Sequence, residues 1–170
     1  VGTALLESFT KRGETVVVYD KYLELGNIES VSQQEIVFFC LPTPFVSGFG
    51  YDLSPIIENL KALRNVGFMG LAVIKSTVEP GTCTKLEKQF GITIVHNPEF
   101  LTETNALHDF EHATHHVFGG RPNVTKLLEE YYNNNTICIP APKYHMSAPE
   151  ASFVKYGMNS FLAAKVLLFN

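Results

Sequence analysis

The polarity pattern changes period several times along the chain. Residues 4–12 set apolar Ala4, Leu5, Leu6 and Phe9 among polar neighbours at helical spacing, and Gly13 follows as a stop signal. The period then shortens. Residues 15–19 form a β-branched run ended by Asp20, which predicts a buried strand. A polar stretch over 21–35 leads to a second apolar run at 36–40 and then to Leu41-Pro42-Thr43-Pro44. Two prolines cannot continue a ladder, so a loop is expected at that strand's C-terminal end. A Gly-rich segment follows at 47–51. Asp52 or Ser54 caps a helix to about residue 64, with Pro55 in its first turn. Further strands are predicted at 71–74, 92–95, 117–118 and 137–139, and helices at 82–90, from 122 to about 132, and from 149 to the end. Strands alternate with helices throughout, which predicts an α/β fold with a mainly parallel, doubly wound sheet.

Composition narrows the class. A length of 170 residues suits one ordinary domain and a piece of a second, and the candidate boundary is 140–149, ahead of the last helix. Hydrophobic residues at 45% against 18% charged argue against disorder. A net charge of −4 leaves no basic excess to neutralise phosphate backbones, which argues against nucleic acid. No apolar run approaches the roughly 20 residues of a membrane span. Three cysteines without a CxxC pair imply neither a disulfide framework nor a zinc ribbon, and no Lys/Arg-led leader opens the chain, so a reducing, cytoplasmic compartment is expected. The chain runs from Val1-Gly2-Thr3 directly into a helix, and a beginning cut short is expected, as in a fragment of a longer gene product.

Ligands of a parallel sheet sit beyond the strand C-termini, and the distinctive loops all lie there: Asp20, 41–44, 76–81 and 97–103. Asp20 ends a strand about 20 residues after a glycine that opens a helix. In a dinucleotide site such a carboxylate accepts both ribose hydroxyls of NAD and repels the extra phosphate of NADP. Gly2 then takes the place of the third fingerprint glycine. The alternative for Asp20 is a strand-ending cap of a turn. The Thr77 hydroxyl suits a nicotinamide amide or a water, or else simple turn chemistry. Glu99 and Glu103 share a face if helical, and a solvated first-turn pair is the alternative. Lys155 and Asn159 also share a face, among apolar neighbours. A lysine there suits acid/base or oxyanion work, or else snorkels to solvent. His108, His112, His115 and His116 lack an HExxH or cysteine partner, so no metal is expected. Cys40, Cys83 and Cys138 are expected to be structural thiols on or beside strands.

With these residues in view, the sequence resembles the UDP-glucose/GDP-mannose dehydrogenase family, in its N-terminal NAD-binding domain. Gly2-Thr3-Ala4-Leu5 is similar to the tail of the family's GxGxVG fingerprint, and Val18-Tyr19-Asp20 to its ribose-binding strand end. Cys40-Leu41-Pro42-Thr43-Pro44 resembles its V-P-T-P loop, and the stretch from Lys75 to Thr82 its S-T-V-P-x-G-T segment. Residues 97–103 resemble N-P-E-F-L-x-E, and the run from Lys155 to Ala163 resembles K-x-x-x-N-x-F-L-A. Six segments in the right order make the likeness specific.

The resemblance implies a Rossmann-like domain over 1–148, whose first strand is absent from the chain, and a helix from 149 that leads to a substrate domain. It implies oxidation of the C6 alcohol of a nucleotide sugar to a carboxylate with two NAD, through an aldehyde trapped on a cysteine, a thioester and its hydrolysis. Carried over residue by residue, Asp20 holds the adenosine ribose, Thr43 and Thr77 line the NAD pocket with Thr77 also near the catalytic water, and Glu103 contacts the nicotinamide side. Glu99 serves as base for hydrolysis. Lys155 stabilises the oxyanion or takes the alcohol proton, and Asn159 orients water. Leu101 and Thr102 offer backbone contacts to the sugar nucleotide. A homodimer through the last helix is implied as well. The sequence departs from the family at Thr102 and at His115 or His116, where arginines are usual, and at Ser152, where a glutamate is usual. No segment matches that of the catalytic cysteine, so the chain alone is expected to be inactive. Two other readings stay open: a non-catalytic module that binds NAD or a partner, and a relative of the 3-hydroxyacid/6-phosphogluconate dehydrogenases.

Overall fold

The computed structural model describes residues 1–102 and 104–169. In chain order the elements are α1 (Gly2–Arg12), α2 (Ile28–Ser32), β1 (Ile36–Phe39), β2 (Phe45–Val46), β3 (Gly50–Tyr51), α3 (Ser54–Asn65) and β4 (Leu71–Ile74). They continue with α4 (Thr82–Phe90), β5 (Thr93–His96), α5 (Ala106–Glu111), β6 (His116–Gly119), α6 (Pro122–Asn135), β7 (Lys143–Met146) and α7 (Ala148–Phe169).

β1, β4, β5, β6 and β7 form one sheet in that order. β1–β4, β4–β5 and β6–β7 pair in parallel, and β5 meets β6 antiparallel at His96 and Gly119. Helices cover both faces, so the interior strand β4 has no polar face, and all four of its residues are buried. Its alternate side chains serve two cores. Ala72 and Ile74 pack with Ile56, Leu60 and Leu63 of α3 and Leu86 and Phe90 of α4. Leu71 and Val73 pack with Leu5 and Phe9 of α1 and Leu128 and Tyr132 of α6. Helix ends follow local chemistry. Gly13 closes α1 in the left-handed region at φ 95°, and the Asp52 carboxylate accepts the backbone N–H and the hydroxyl of Ser54 at the start of α3.

Two expected strands are absent. Residues 15–19 are not a buried strand: Val17 and Val18 are 36% and 38% exposed, and only an isolated bridge joins Asp20 to Leu25. A strand exists through its ladder, and no strand among the described residues pairs with this run. Residues 137–139 are not the last strand either. Ile139 donates its N–H to the Glu111 carbonyl at 2.8 Å and the Cys138 thiol meets the Phe110 carbonyl at 3.2 Å, so this stretch ties to the end of α5. The strand forms instead at β7, after Pro140 and Pro142. The short helices α2 and α5 and the β2–β3 hairpin had no counterpart in the polarity pattern.

α7 crosses β6 at Gly119. A Cβ there would lie 2.4 Å from Ala151 Cβ and 3.0 Å from Ala148 Cα, whereas one at Gly120 would approach Val95 Cγ2 at 3.2 Å. Gly119→Ala is expected to cost roughly 1–3 kcal/mol by overpacking, and Gly120→Ala less, as read from urea midpoints. Equal midpoints for the two variants would refute the close crossing.

Candidate functional site

The C-terminal ends of β1, β4 and β5 open onto three loops that hydrogen bonds stitch together. Leu41 donates its N–H to Ser76 Oγ at 3.2 Å, and the Ser76 hydroxyl donates to the Leu41 carbonyl at 2.6 Å. The Thr43 hydroxyl donates to the Thr77 carbonyl at 2.8 Å. Thr43 and Thr77, from two separate loops, therefore stand side by side, which their distance in sequence could not show.

The third loop leaves β5 through Asn97 and Pro98. The Glu99 carboxylate accepts the Leu101 N–H through Oε2 at 2.7 Å. Lys155, on α7, donates to the Glu99 carbonyl at 2.6 Å and to Oε1 at 3.1 Å, with its ammonium 5.4 Å from the Phe100 ring centre. Lys155 is 6% exposed, so its ammonium does not snorkel to solvent. Asn159 lies exposed one turn further along α7. Thr102 is exposed, and its N–H and hydroxyl both donate to Asp109 Oδ2, at 2.8 and 2.6 Å. Glu103 lies outside the described residues.

At the other side, the start of α1 packs beside the end of β1: a Cβ on Gly2 would make ordinary contact with Cys40 Cβ at 3.4 Å. The first turn of α1 carries neither an acidic residue nor a side-chain cap. Its first-turn N–H groups and positive dipole end suit a pyrophosphate, and a dinucleotide fits the residues present. Asp20 Oδ1 accepts the N–H groups of Tyr22 and Leu23 at 2.8 and 3.1 Å, the turn-capping role the sequence left open.

Behind the loops lies a buried polar network with no precursor in the sequence reading. Lys75, 4% exposed, donates to Asn97 Oδ1 at 2.9 Å and to the Tyr132 hydroxyl at 3.3 Å. Tyr132 donates to the same Asn97 oxygen at 2.6 Å, and Asn97 Nδ2 donates to the Val117 carbonyl at 2.8 Å. Burial pulls the Lys75 pKa down to about 8. His96 bridges the loop after β4 and α7: Nε2 lies 3.3 Å from the Ser76 carbonyl and Nδ1 2.9 Å from the Ser152 hydroxyl. A neutral ring satisfies both, with Nε2–H donating to the carbonyl and Nδ1 accepting from Ser152. Burial pulls both His96 and His116 down to about 4. The only signals for these residues were a lysine abutting an all-apolar run and a histidine closing the next strand.

Histidines after Glu103 make ring contacts. His108 and His112 stack at 4.3 Å, and His115 packs on Phe100 at 4.7 Å. Among the described residues no three His, Cys, Asp or Glu side chains are grouped to hold a metal ion. No described helix is long and apolar enough to cross a membrane. Cys40, Cys83 and Cys138 are all free thiols, and burial raises all three pKa values.

Comparison with known proteins bears on this arrangement. Residues 5–136 match the NAD binding domain of the UDP-glucose/GDP-mannose dehydrogenase family. UDP-glucose 6-dehydrogenase of Rickettsia bellii is 32% identical over 154 residues, 84% of this chain and 34% of that protein. A UDP-glucose dehydrogenase from Pyrobaculum islandicum superposes with a TM-score of 0.71 at 32% identity, over 81% of this chain and 34% of the other. A GDP-mannose dehydrogenase from Pseudomonas aeruginosa, solved as a ternary complex, does so at 0.71 and 27% identity, over 82% and 35%. The chain thus spans about a third of the length of the relatives it matches.

Proposed function

Since the chain belongs to the UDP-glucose/GDP-mannose dehydrogenase family and carries its NAD-binding domain, we propose that it is the cofactor half of a cytoplasmic nucleotide-sugar 6-dehydrogenase that oxidises a C6 alcohol to a carboxylate with two NAD. The observation that carries this reading is the Lys155–Glu99 pair. A buried ammonium and a carboxylate meet at the mouth of the β4 and β5 loops, beside a dinucleotide cradle. A module that only bound NAD would have no need of a buried pair between the loop after β5 and α7.

Residues 1–148 are the NAD-binding domain in this reading, and α7 leads from it towards a second domain. NAD, when bound, accepts the hydride from C6. Gly2 and the start of α1 receive its pyrophosphate, Asp20 its adenosine ribose, and Thr43 and Thr77 line its pocket, with Glu103 on the nicotinamide side. The Asp20 turn leaves Oδ2 for the ribose, since the turn uses Oδ1. Leu101 and Thr102 offer main-chain contacts to the sugar nucleotide. Lys155 holds the oxygen of C6 as charge grows there or takes the alcohol proton, Glu99 takes the proton of the water that hydrolyses the thioester, and Asn159 orients that water. The exposed apolar residues of α7, among them Phe153, Phe161 and Leu167, meet the rest of the protein and a second copy.

The full-length protein should form two NADH per nucleotide sugar when offered UDP-glucose, GDP-mannose or UDP-N-acetyl sugars in turn. Absence of NADH with all of them would overturn the reading. NAD should be preferred over NADP, and Asp20→Ala should weaken NAD about tenfold and narrow the preference, because a charge-assisted contact to the ribose is lost. Equal Kd values for the two cofactors in the unmutated protein would remove Asp20 from the site.

A further inference from the structure

Lys75 has no carboxylate within salt-bridge distance among the described residues. Its ammonium rests on two neutral oxygens, Asn97 Oδ1 and the Tyr132 hydroxyl, with the rings of Phe110 and Tyr132 about 6 Å away. An unpaired ammonium in a core costs stability, and an apolar side chain of similar volume would fit the same space at lower cost. What the charge does achieve is visible in its partner. Asn97 is 1% exposed, and each end of its amide is held: two donors on Oδ1, one acceptor on Nδ2, and its backbone N–H on the Ile74 carbonyl at 2.9 Å. Asn97 follows directly on β5. Pro98 restricts the next φ, and Glu99 follows directly. The position of Glu99 is therefore set from behind by Asn97 and from in front by Lys155.

We infer that Lys75 is a positioning residue for Glu99, acting through Asn97, in the reaction proposed above, on which this inference rests. Charge adds to geometry. Lys75 and Lys155 are both buried, and the charges of Glu99 and Lys155 act on Lys75. The other titratable groups facing Lys75 are the thiols of Cys40 on the loop after β1 and Cys138 on 136–140, together with the Tyr132 phenol on α6. His96 on β5 and His116 on β6 face it as neutral rings. Because burial already brings Lys75 down to about 8, its charge is lost within reach of an ordinary pH profile.

The test is Lys75→Met in the full-length enzyme. The expected result is a kcat lower by about tenfold to a hundredfold, with KM for NAD unchanged and a melting temperature unchanged or higher. The unmutated enzyme should show an alkaline loss of kcat with an apparent pKa near 8 that the variant lacks. Hydrogen exchange should accelerate at the Leu101 amide, whose partner is the Glu99 carboxylate, while β4 and β5 stay protected. Parallel loss of stability and activity, or unchanged kcat and unchanged Leu101 exchange, would overturn the inference. If Lys75→Met fails to fold, Tyr132→Phe removes one acceptor from Lys75 and one donor from Asn97 at equal volume. It should move the alkaline limb to lower pH, and an unmoved limb counts against the inference. An unmutated enzyme that oxidises no nucleotide sugar defeats the proposed function, and faster Leu101 exchange in Lys75→Met would still support the placing of Glu99.

Discussion

Lys155→Ala in the full-length enzyme is expected to lower kcat by about 10²–10³-fold while KM for NAD stays where it was. A preorganised cationic donor aimed at an oxygen that gains charge is typically worth roughly 3–4 kcal/mol in the transition state and little in the ground state. The geometry supports that use. The ammonium is buried, fixed by the Glu99 carbonyl and carboxylate at 2.6 and 3.1 Å, and so loses little freedom when substrate arrives. Removing it also leaves Glu99 without its partner, and breaking a buried pair costs stability by itself. The two effects separate if kcat is taken per folded molecule beside the melting temperature. The pair makes a second demand. Because Lys155 and Glu99 act as a unit, Glu99→Gln combined with Lys155→Ala should cost little more than Lys155→Ala alone. A normal kcat in Lys155→Ala, or fully additive losses in the double variant, would end the catalytic reading of this face.

Acid should weaken the fold before ordinary carboxylates titrate. His96 and His116 are both held neutral by burial, their pKa values lowered from 6.5 to about 4. The folded state binds protons less readily than the unfolded one. The stability these rings contribute is therefore complete above pH 6.5 and is lost as pH falls from 6.5 through 4. At about 1.4 kcal/mol per pKa unit, each ring accounts for roughly 3 kcal/mol, so the pair rivals the 5–15 kcal/mol total of a typical domain. His96 contributes the better-defined part, since its nitrogens already have partners in the Ser76 carbonyl and Ser152. Urea midpoints should fall steeply between pH 7 and 5, and His96→Gln should flatten that slope by about half. Midpoints that stay constant over this range would show that the two rings accept protons in the folded state.

How much was legible in advance depended on whether the signal was local. Helix α4 and strand β4 lie where the polarity pattern puts them, 82–90 and 71–74, because caps, glycines and apolar runs act over a few residues. The likeness of residues 97–103 and of the run from Lys155 was also readable, because it resides in consecutive residue types. Residues 15–19 and 137–139 show the opposite case. Their side chains suit strands as well as those of β4 do, yet a strand forms only where a neighbour supplies donors and acceptors, and that neighbour is remote in sequence. The site divides along the same line. Glu99, Thr77 and Lys155 could be named singly, whereas the contact of Lys155 with Glu99 spans 56 residues and that of Lys75 with Tyr132 spans 57. Local order follows from propensity and periodicity along the backbone. The pairings that bury one lysine against an asparagine, and join another to a carboxylate, arise only when the packed sheet brings distant strand ends and helices into one low-dielectric volume.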